Sequence, residues 1–282
     1  MKTYDPVGRC IYCGEDKGRL GEEHIIPLGL DGNIVLPLAS CDDCSTITGK
    51  FEGVVQRTML GNIRVKLGMK TRRKKDRPKK LDIFIKTSAG EEATPVPVSE
   101  FPHMFALPLL GKARVLHGLP EFHSDVIGCG FWANAPEDEV RPYLKDENHK
   151  LRIGAVRADF FCRMLSKIAY SFAVAEFGYG AFKPLVLPII LGKSNNYGHL
   201  VGGDPQAPLA SEHLHDVSWE YQIVRLQVYI VVNIRLFSKA GAPQYHVVVG
   251  TTGIITPQQR QALDQEARQQ ANNACPDLGS LG

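Results

Sequence analysis

Hydrophobic and polar positions repeat with two different periods along this chain, and the periods predict where helices and strands lie. Two stretches, residues 48–67 and residues 159–178, have apolar side chains at the three- and four-residue spacing of one helix face. Both are predicted to be amphipathic helices that bury this face. Asp159 is the predicted N-cap of the second helix, and Gly178 marks its end.

Shorter apolar runs bounded by turn residues predict strands. The first two, residues 22–26 and 34–38, flank an Asp31-Gly32 turn and predict a hairpin. Further strands are predicted at residues 81–85, 105–110, 113–116, 126–133, 186–191, 219–237 and 245–249, and a polar helix at residues 257–272. We therefore expect an α+β fold in which a sheet of the second half packs on the helix at residues 159–178.

Two Cys-x-x-Cys pairs frame the hairpin. Cys10 and Cys13 are separated from Cys41 and Cys44 by 27 residues, and each pair places two thiols on one tight turn. Four thiolates are the ligand set of a closed, structural Zn²⁺ site. Disulfides are the alternative, but the seven cysteines are an odd number and no apolar leader is present.

The framed segment reads CIYCG, EEHIIPLGLDGN and CDDCSTITGKFE in chain order. It resembles the HNH endonuclease family over residues 10 to about 55, roughly a fifth of the chain. The resemblance implies a zinc-bound treble clef enclosing a ββα-metal centre that hydrolyses DNA. Glu23 and His24 match the first motif of the family, and Asn33 matches the second.

The third motif departs from the family at Ser45, where related enzymes carry Asn or His as a ligand of the catalytic ion. Three alternatives stay open: Ser45 or Thr46 holds the ion, Glu52 replaces the missing ligand, or the site has lost activity. The resemblance assigns His24 as the general base on water and Glu23 as an oxygen ligand of catalytic Mg²⁺ or Mn²⁺. Asn33 is expected to hold the hairpin or to orient the imidazole.

Charge is concentrated in one segment. Residues 64–80 contain ten Lys or Arg and one Asp, a local charge of +9 that leaves −6 for the rest of a chain of net charge +3. We interpret this basic strip as a sequence-independent contact to DNA phosphates, made chiefly by Arg72, Arg73, Lys74 and Lys75. The alternative is a solvated helix end and linker.

These features divide the chain into three predicted segments. They are an HNH-like zinc-bound domain (residues 1–67), a linker that contains most of the basic strip (residues 68–80) and an α+β domain of unassigned role (residues 81–282). No apolar run is long enough to span a bilayer, so we expect a cytoplasmic protein without membrane partners. The alternative function is a non-catalytic zinc finger that binds nucleic acid or protein. His213, His215 and Asp216 form the one other compact group of metal-ligating residue types, and we do not assign a metal to it.

Overall fold

A computed structural model describes residues 2–71, 74–88, 90–121, 130–145, 149–204, 211–254, 256–259 and 261 of the chain. Helices and strands both contribute substantially, so the protein is a mixed α+β fold, as the hydrophobic pattern predicts. Among these residues, no helix combines the length and apolar character needed to cross a membrane.

A small three-stranded sheet opens the chain. Its strands are β1 (Lys2–Thr3), β2 (Leu20–His24) and β3 (Ile34–Cys41). β2 and β3 form the predicted antiparallel hairpin, and β1 pairs in parallel with the other edge of β3. The strand β3 runs directly into the second cysteine pair, so the hairpin and the cysteine turns are parts of one unit.

The helix predicted at residues 48–67 is divided into three pieces: α1 (Asp42–Val54), a π-helical turn (Val55–Met59) and α2 (Gly61–Lys66). α1 starts earlier than predicted because Cys41 caps it, its sulfur accepting a hydrogen bond from the Cys44 amide. Asp42 and Asp43 in its first turn also interact favourably with the positive end of the helix dipole. Leu60 leaves the helical conformation and separates the π turn from α2.

The middle of the chain is built from short antiparallel strands. They are β4 (Lys80–Thr87), β5 (Gly90–Pro97), β6 (Phe105–Leu109) and β7 (Gly130–Asn134), followed by the helix α3 (Glu137–Val140) and the strand β8 (Lys150–Arg152). β5, β4 and β8 form one sheet, and β6 pairs with β7. The prediction of a strand at residues 113–116 is wrong. Arg114–His117 form a 3₁₀ turn, and Gly118, with φ of 66°, ends it. Residues 126–129 lie outside the described part of the chain.

A long helix and a larger antiparallel sheet form the C-terminal half. The elements are α4 (Ala158–Phe177), β9 (Lys183–Pro184), α5 (Leu187–Ile190), α6 (Tyr197–Leu200), β10 (Val201–Asp204), β11 (His215–Val224), β12 (Gln227–Leu236) and β13 (Gln244–Ile254). The strand order is β10-β13-β12-β11, and β9 adds to β13. The predicted helix at residues 159–178 is confirmed, although Arg157 and not Asp159 precedes its first turn.

Two predictions in this half need correction. Residues 186–191 contain the helix α5 and not a strand, and Pro188 in its first turn suits a helix start. The single strand predicted at residues 219–237 is a hairpin, because Arg225 and Leu226 take positive φ angles and reverse the chain between β11 and β12. Residues 245–249 lie within β13 as predicted, and most of the helix predicted at residues 257–272 falls outside the described residues.

α4 is the central element of the described fold. It contacts α1 on one side and the strands β12 and β13 on the other. Every residue from 161 to 174 except Arg163 is buried, so the helix is covered on nearly its whole circumference. One buried cluster joins Phe51 of α1, Phe161 of α4 and Tyr245 of β13. The predicted division into domains stays a prediction, and the main core contains residues from both sides of it.

Candidate metal centre

The four cysteines of the two pairs come together. The sulfur atoms of Cys10, Cys13, Cys41 and Cys44 all lie within 4.8 Å of one another, and the Cys13 and Cys41 sulfurs are 3.7 Å apart. A tetrahedron of thiolates around Zn²⁺ has edges of about 3.8 Å, whereas a disulfide bond is about 2.05 Å long. All four are free thiols. The spacing therefore fits a four-coordinate metal ion and excludes disulfides between the pairs.

Backbone hydrogen bonds hold the first cysteine turn in place. The Gly14 amide donates to the Cys10 carbonyl at 2.9 Å, and Gly14 has φ of 82°, which glycine adopts without strain. The Ile11 amide donates to the Ala39 carbonyl of β3 at 2.8 Å. From α4, the Tyr170 hydroxyl donates to the Ile11 carbonyl at 2.8 Å. The turn is thus anchored both to the hairpin and to the central helix.

The electrostatics of the sulfur cluster favour a bound cation. Burial raises the pKa of the Cys44 thiol, and the neighbouring Cys10 raises it further. Four thiolates at this separation repel one another unless a positive ion lies between them. Soft sulfur ligands in a closed set of four suit Zn²⁺ and leave no open coordination position, so this centre can hold a structural metal ion.

A second cluster, of two carboxylates and one ammonium group, lies where β2 and α1 face α4. The Lys167 ammonium forms ion pairs with Glu23 and with Glu52, the latter at 2.9 Å. It also donates to the main-chain carbonyls of His24 and Ile25. The Lys167 side chain is 2% exposed, and those of Glu23 and Glu52 are 6% and 16% exposed. We call Glu23, Glu52 and Lys167 the carboxylate–ammonium cluster.

Burial and charge act in opposite directions on these groups. Burial alone would lower the pKa of Lys167, but the carboxylates of Glu23 and Glu52 outweigh it and raise that pKa. Burial raises the pKa of Glu52, while the charges of Lys167 and of the nearby His24 imidazole lower it. Burial and the same two carboxylates raise the pKa of Tyr12 well above its usual value. Lys167 therefore stays positively charged at neutral pH.

The structure brings some of the predicted catalytic residues together and not others. Glu23 and the half-buried His24 end β2, next to Glu52 of α1. Asn33 is exposed just before β3, and its carbonyl accepts a hydrogen bond from the Lys2 amide at 2.8 Å. Ser45 is exposed on α1, and its hydroxyl donates to the Asp42 carbonyl at 3.0 Å. Of the alternatives for the third ligand, Glu52 is the residue that lies beside Glu23.

The basic strip is partly folded onto the rest of the protein. Three of its cations, Arg64, Lys66 and Arg77, donate hydrogen bonds to main-chain carbonyls. Burial and the charge of Arg77 lower the pKa of Arg64. Other cations of the strip are exposed, namely Lys70, Lys75, Lys79 and Lys80. Arg72 and Arg73 lie outside the described residues, as does the side chain of Lys74, so their predicted contact with DNA stays a prediction.

Sequence reasoning overlooked Lys167. A lysine between Ser166 and Ile168 in the long apolar stretch at residues 159–178 is itself a signal, and both of these neighbours are buried in α4. A buried lysine requires an anionic partner or loses its charge. The sequence could have indicated that such a partner exists, but not that Glu23 and Glu52 supply it.

The group formed by His213, His215 and Asp216 serves the fold. His215 Nε2 donates to the Leu30 carbonyl at 2.7 Å, and its Nδ1 accepts from the Phe237 amide at 3.2 Å, so both ring nitrogens are used. Burial lowers the pKa of His215, which keeps the ring neutral. Within the described part of the chain, the four cysteines are the one set of three or more His, Cys, Asp or Glu residues close enough to share an ion.

Comparison with known proteins identifies no relative of this chain. No protein family matches its sequence, no curated protein matches it, and no solved structure resembles the described fold. A function therefore has to follow from the chemistry of the residues that the fold brings together.

Proposed function

We propose that the protein is a metal-dependent endonuclease of the HNH type, in which a zinc-bound treble clef frames a ββα centre that hydrolyses DNA. The observation that carries this proposal is the convergence of Glu23 and His24, which lie between the two cysteine pairs in sequence, with Glu52, which follows the second pair. These three residues come from the second strand and the first helix of the framed segment. They place an imidazole beside two hard oxygen donors, the set that metal-assisted phosphodiester hydrolysis requires.

Each residue has a role that its chemistry allows. A bound Mg²⁺ or Mn²⁺ supplies stabilisation of the leaving oxygen and of the charge that develops in the transition state. Glu23 and Glu52 provide carboxylate oxygens to hold the ion. The His24 imidazole would accept the proton of the attacking water as general base. Asn33, on the arm of the hairpin that follows the loop, holds the hairpin or orients the imidazole.

DNA is the proposed substrate because of the charge distribution. The basic strip continues directly from α2, which leaves the framed segment. Exposed lysines of the strip are point charges that contact phosphates without reading bases. The proposed activity is therefore cleavage with little sequence preference.

The test is cleavage of supercoiled plasmid by the zinc-loaded protein with Mg²⁺, Mn²⁺ or no added divalent ion. Nicked or linear product is expected with a divalent ion, and His24→Ala is expected to reduce the rate by about 10² to 10⁴ without loss of zinc or of DNA affinity. His117→Ala is the matched control, since His117 is exposed on the 3₁₀ turn at Arg114–His117 and lies outside the framed segment, and it should cleave at the wild-type rate. Equal loss in both variants, or no cleavage by the wild type, would refute the assignment.

A second candidate function is a zinc module that binds DNA without cleaving it. The carboxylate–ammonium cluster favours this alternative, because Lys167 neutralises the carboxylates to which the nuclease proposal assigns a metal ion. Wild-type protein that binds DNA but leaves plasmid intact with every divalent ion would support the second candidate.

A further inference from the structure

The ammonium group of Lys167 is surrounded by oxygen atoms. Its neighbours are one carboxylate oxygen each of Glu23 and Glu52 and the carbonyl oxygens of His24 and Ile25. An ammonium has three protons to donate, so at least two of the four oxygens share one proton, and the Ile25 carbonyl is a distant acceptor at 3.4 Å. Carboxylate and carbonyl oxygens are the ligands that Mg²⁺, Mn²⁺ and Ca²⁺ take in proteins.

We propose that these four oxygens form a divalent-cation site whose place is taken by the Lys167 ammonium, so that the ion binds only when this side chain withdraws. The proposal deepens the proposed function and rests on it in assigning Glu23 and Glu52 to the catalytic ion. In this arrangement the Lys167 side chain of α4 lowers the affinity of the nuclease centre for its ion, and the wild type still loads the ion when the ion is in excess.

The charge of the cluster supports an exchange of cations. With Lys167 in place, two carboxylates share one ammonium, and the side chains of Glu23, Glu52 and Lys167 are 6%, 16% and 2% exposed. A divalent ion in the same place neutralises both carboxylates. Lysine and a divalent ion cannot share this space, since an ammonium 2.9 Å from Glu52 occupies the position that the ion would take.

Packing explains why the exchange requires a conformational change. The Lys167 side chain is 2% exposed, and Ser166 and Ser171, on either side of it along α4, are buried as well. Withdrawal of Lys167 therefore requires α4 to move relative to β2 and α1. Loading of the catalytic ion is coupled to this movement.

The test uses full-length, zinc-loaded wild type, Lys167→Met, and the double variant Lys167→Met with Glu23→Gln. Mn²⁺ is titrated into each protein, bound ion is counted by electron paramagnetic resonance, and the melting temperature is recorded. We expect Lys167→Met to bind one Mn²⁺ at least ten times more tightly than wild type. At a free Mn²⁺ concentration of 100 times Kd, its melting temperature should rise by about 5 °C or more. The double variant should lose both effects.

Equal Mn²⁺ affinity in wild type and Lys167→Met would overturn the inference, as would binding that survives Glu23→Gln. If Lys167→Met does not fold in buffer alone, it is refolded with and without Mn²⁺: recovery of a folded, zinc-containing protein only with Mn²⁺ supports the inference, and failure in both conditions overturns it. Plasmid cleavage separates the two proposals. A Lys167→Met protein that binds Mn²⁺ but cleaves nothing keeps the cation site and refutes the nuclease, whereas wild-type cleavage with unchanged Mn²⁺ affinity does the reverse.

Discussion

At the scale of single residues, the buried charge of Lys167 is compensated by two residues that are distant from it in the sequence. Lys167 is 2% exposed, and its ammonium is stabilised by Glu23 and Glu52. Removing one partner of a buried ion pair leaves a charge that water cannot reach, which typically destabilises a protein by about 3 to 5 kcal/mol. Glu23 is therefore needed for stability whether or not it also binds a catalytic ion.

Glu22 and Glu23 offer a matched pair for testing this requirement, because they are neighbours on β2 and only Glu23 is buried. Glu23→Ala is expected to lower the free energy of unfolding by about 3 kcal/mol, since Glu52 still compensates part of the lysine charge. Glu22→Ala is expected to change it by less than about 0.5 kcal/mol. Urea denaturation followed by circular dichroism measures both. Similar losses in the two variants would mean that the ion pair contributes little.

At the scale of elements, the basic strip contains two kinds of cation, which differ in their contacts with the rest of the protein. Arg64, Lys66 and Arg77 tie it to nearby carbonyls, whereas Lys75 and other cations are exposed. Only the second kind can contact phosphates without loss of internal hydrogen bonds. We therefore expect the proposed contact with phosphates to come from exposed cations of the strip such as Lys75.

Simultaneous change of Arg72, Arg73, Lys74 and Lys75 to alanine is expected to weaken DNA binding for every sequence. It should also reduce the slope of log affinity against log salt concentration by up to about four, because each phosphate contact releases about one counterion. The control changes four exposed lysines elsewhere, Lys112, Lys183, Lys193 and Lys239, and removes the same charge. Fluorescence anisotropy over a range of salt measures both. If the control lowers the slope as much as the strip variant, net charge and not the strip governs binding.

At the scale of the whole molecule, the candidate zinc centre and the C-terminal sheet meet on α4. Tyr170 and Lys167 of this helix bind the first cysteine turn and β2, while its other side packs on β12 and β13. The main buried cluster passes through all of these elements. Loss of a bound metal ion is therefore expected to destabilise the whole protein and not only its N-terminal segment.

We expect purified protein to contain one zinc ion per chain by elemental analysis. Removing zinc with a chelator, or changing Cys41 to serine, should lower the melting temperature by more than about 10 °C while unfolding remains one cooperative transition. Cys162→Ala is the control, because Cys162 is buried in α4 away from the sulfur cluster and its loss should leave the zinc content at one. Two separate transitions after zinc removal would show that the N-terminal segment unfolds independently.

Local sequence patterns were sufficient to predict the cluster of four cysteines, the hairpin and the two main helical regions. Each Cys-x-x-Cys pair sets its own turn, and the ligand chemistry belongs to the side chain, so the sulfur cluster could be predicted before any fold was known. Short apolar runs were less informative. Residues 113–116 and 186–191 form a 3₁₀ turn and a helix, because a run of four to six apolar residues has no period long enough to distinguish helix from strand.

The sequence by itself therefore determined which faces are apolar and that the four cysteines can share an ion, and the tertiary structure decided which faces meet. Hydrophobic periodicity shows that α4 is buried, but it contains no information about the element that covers each side. Lys167 lies 143 residues from the His24 carbonyl that it contacts. Its pairing with Glu23 and Glu52 follows only from the packing of α4 against β2 and α1, because contacts at such a sequence separation arise from the closure of the whole core.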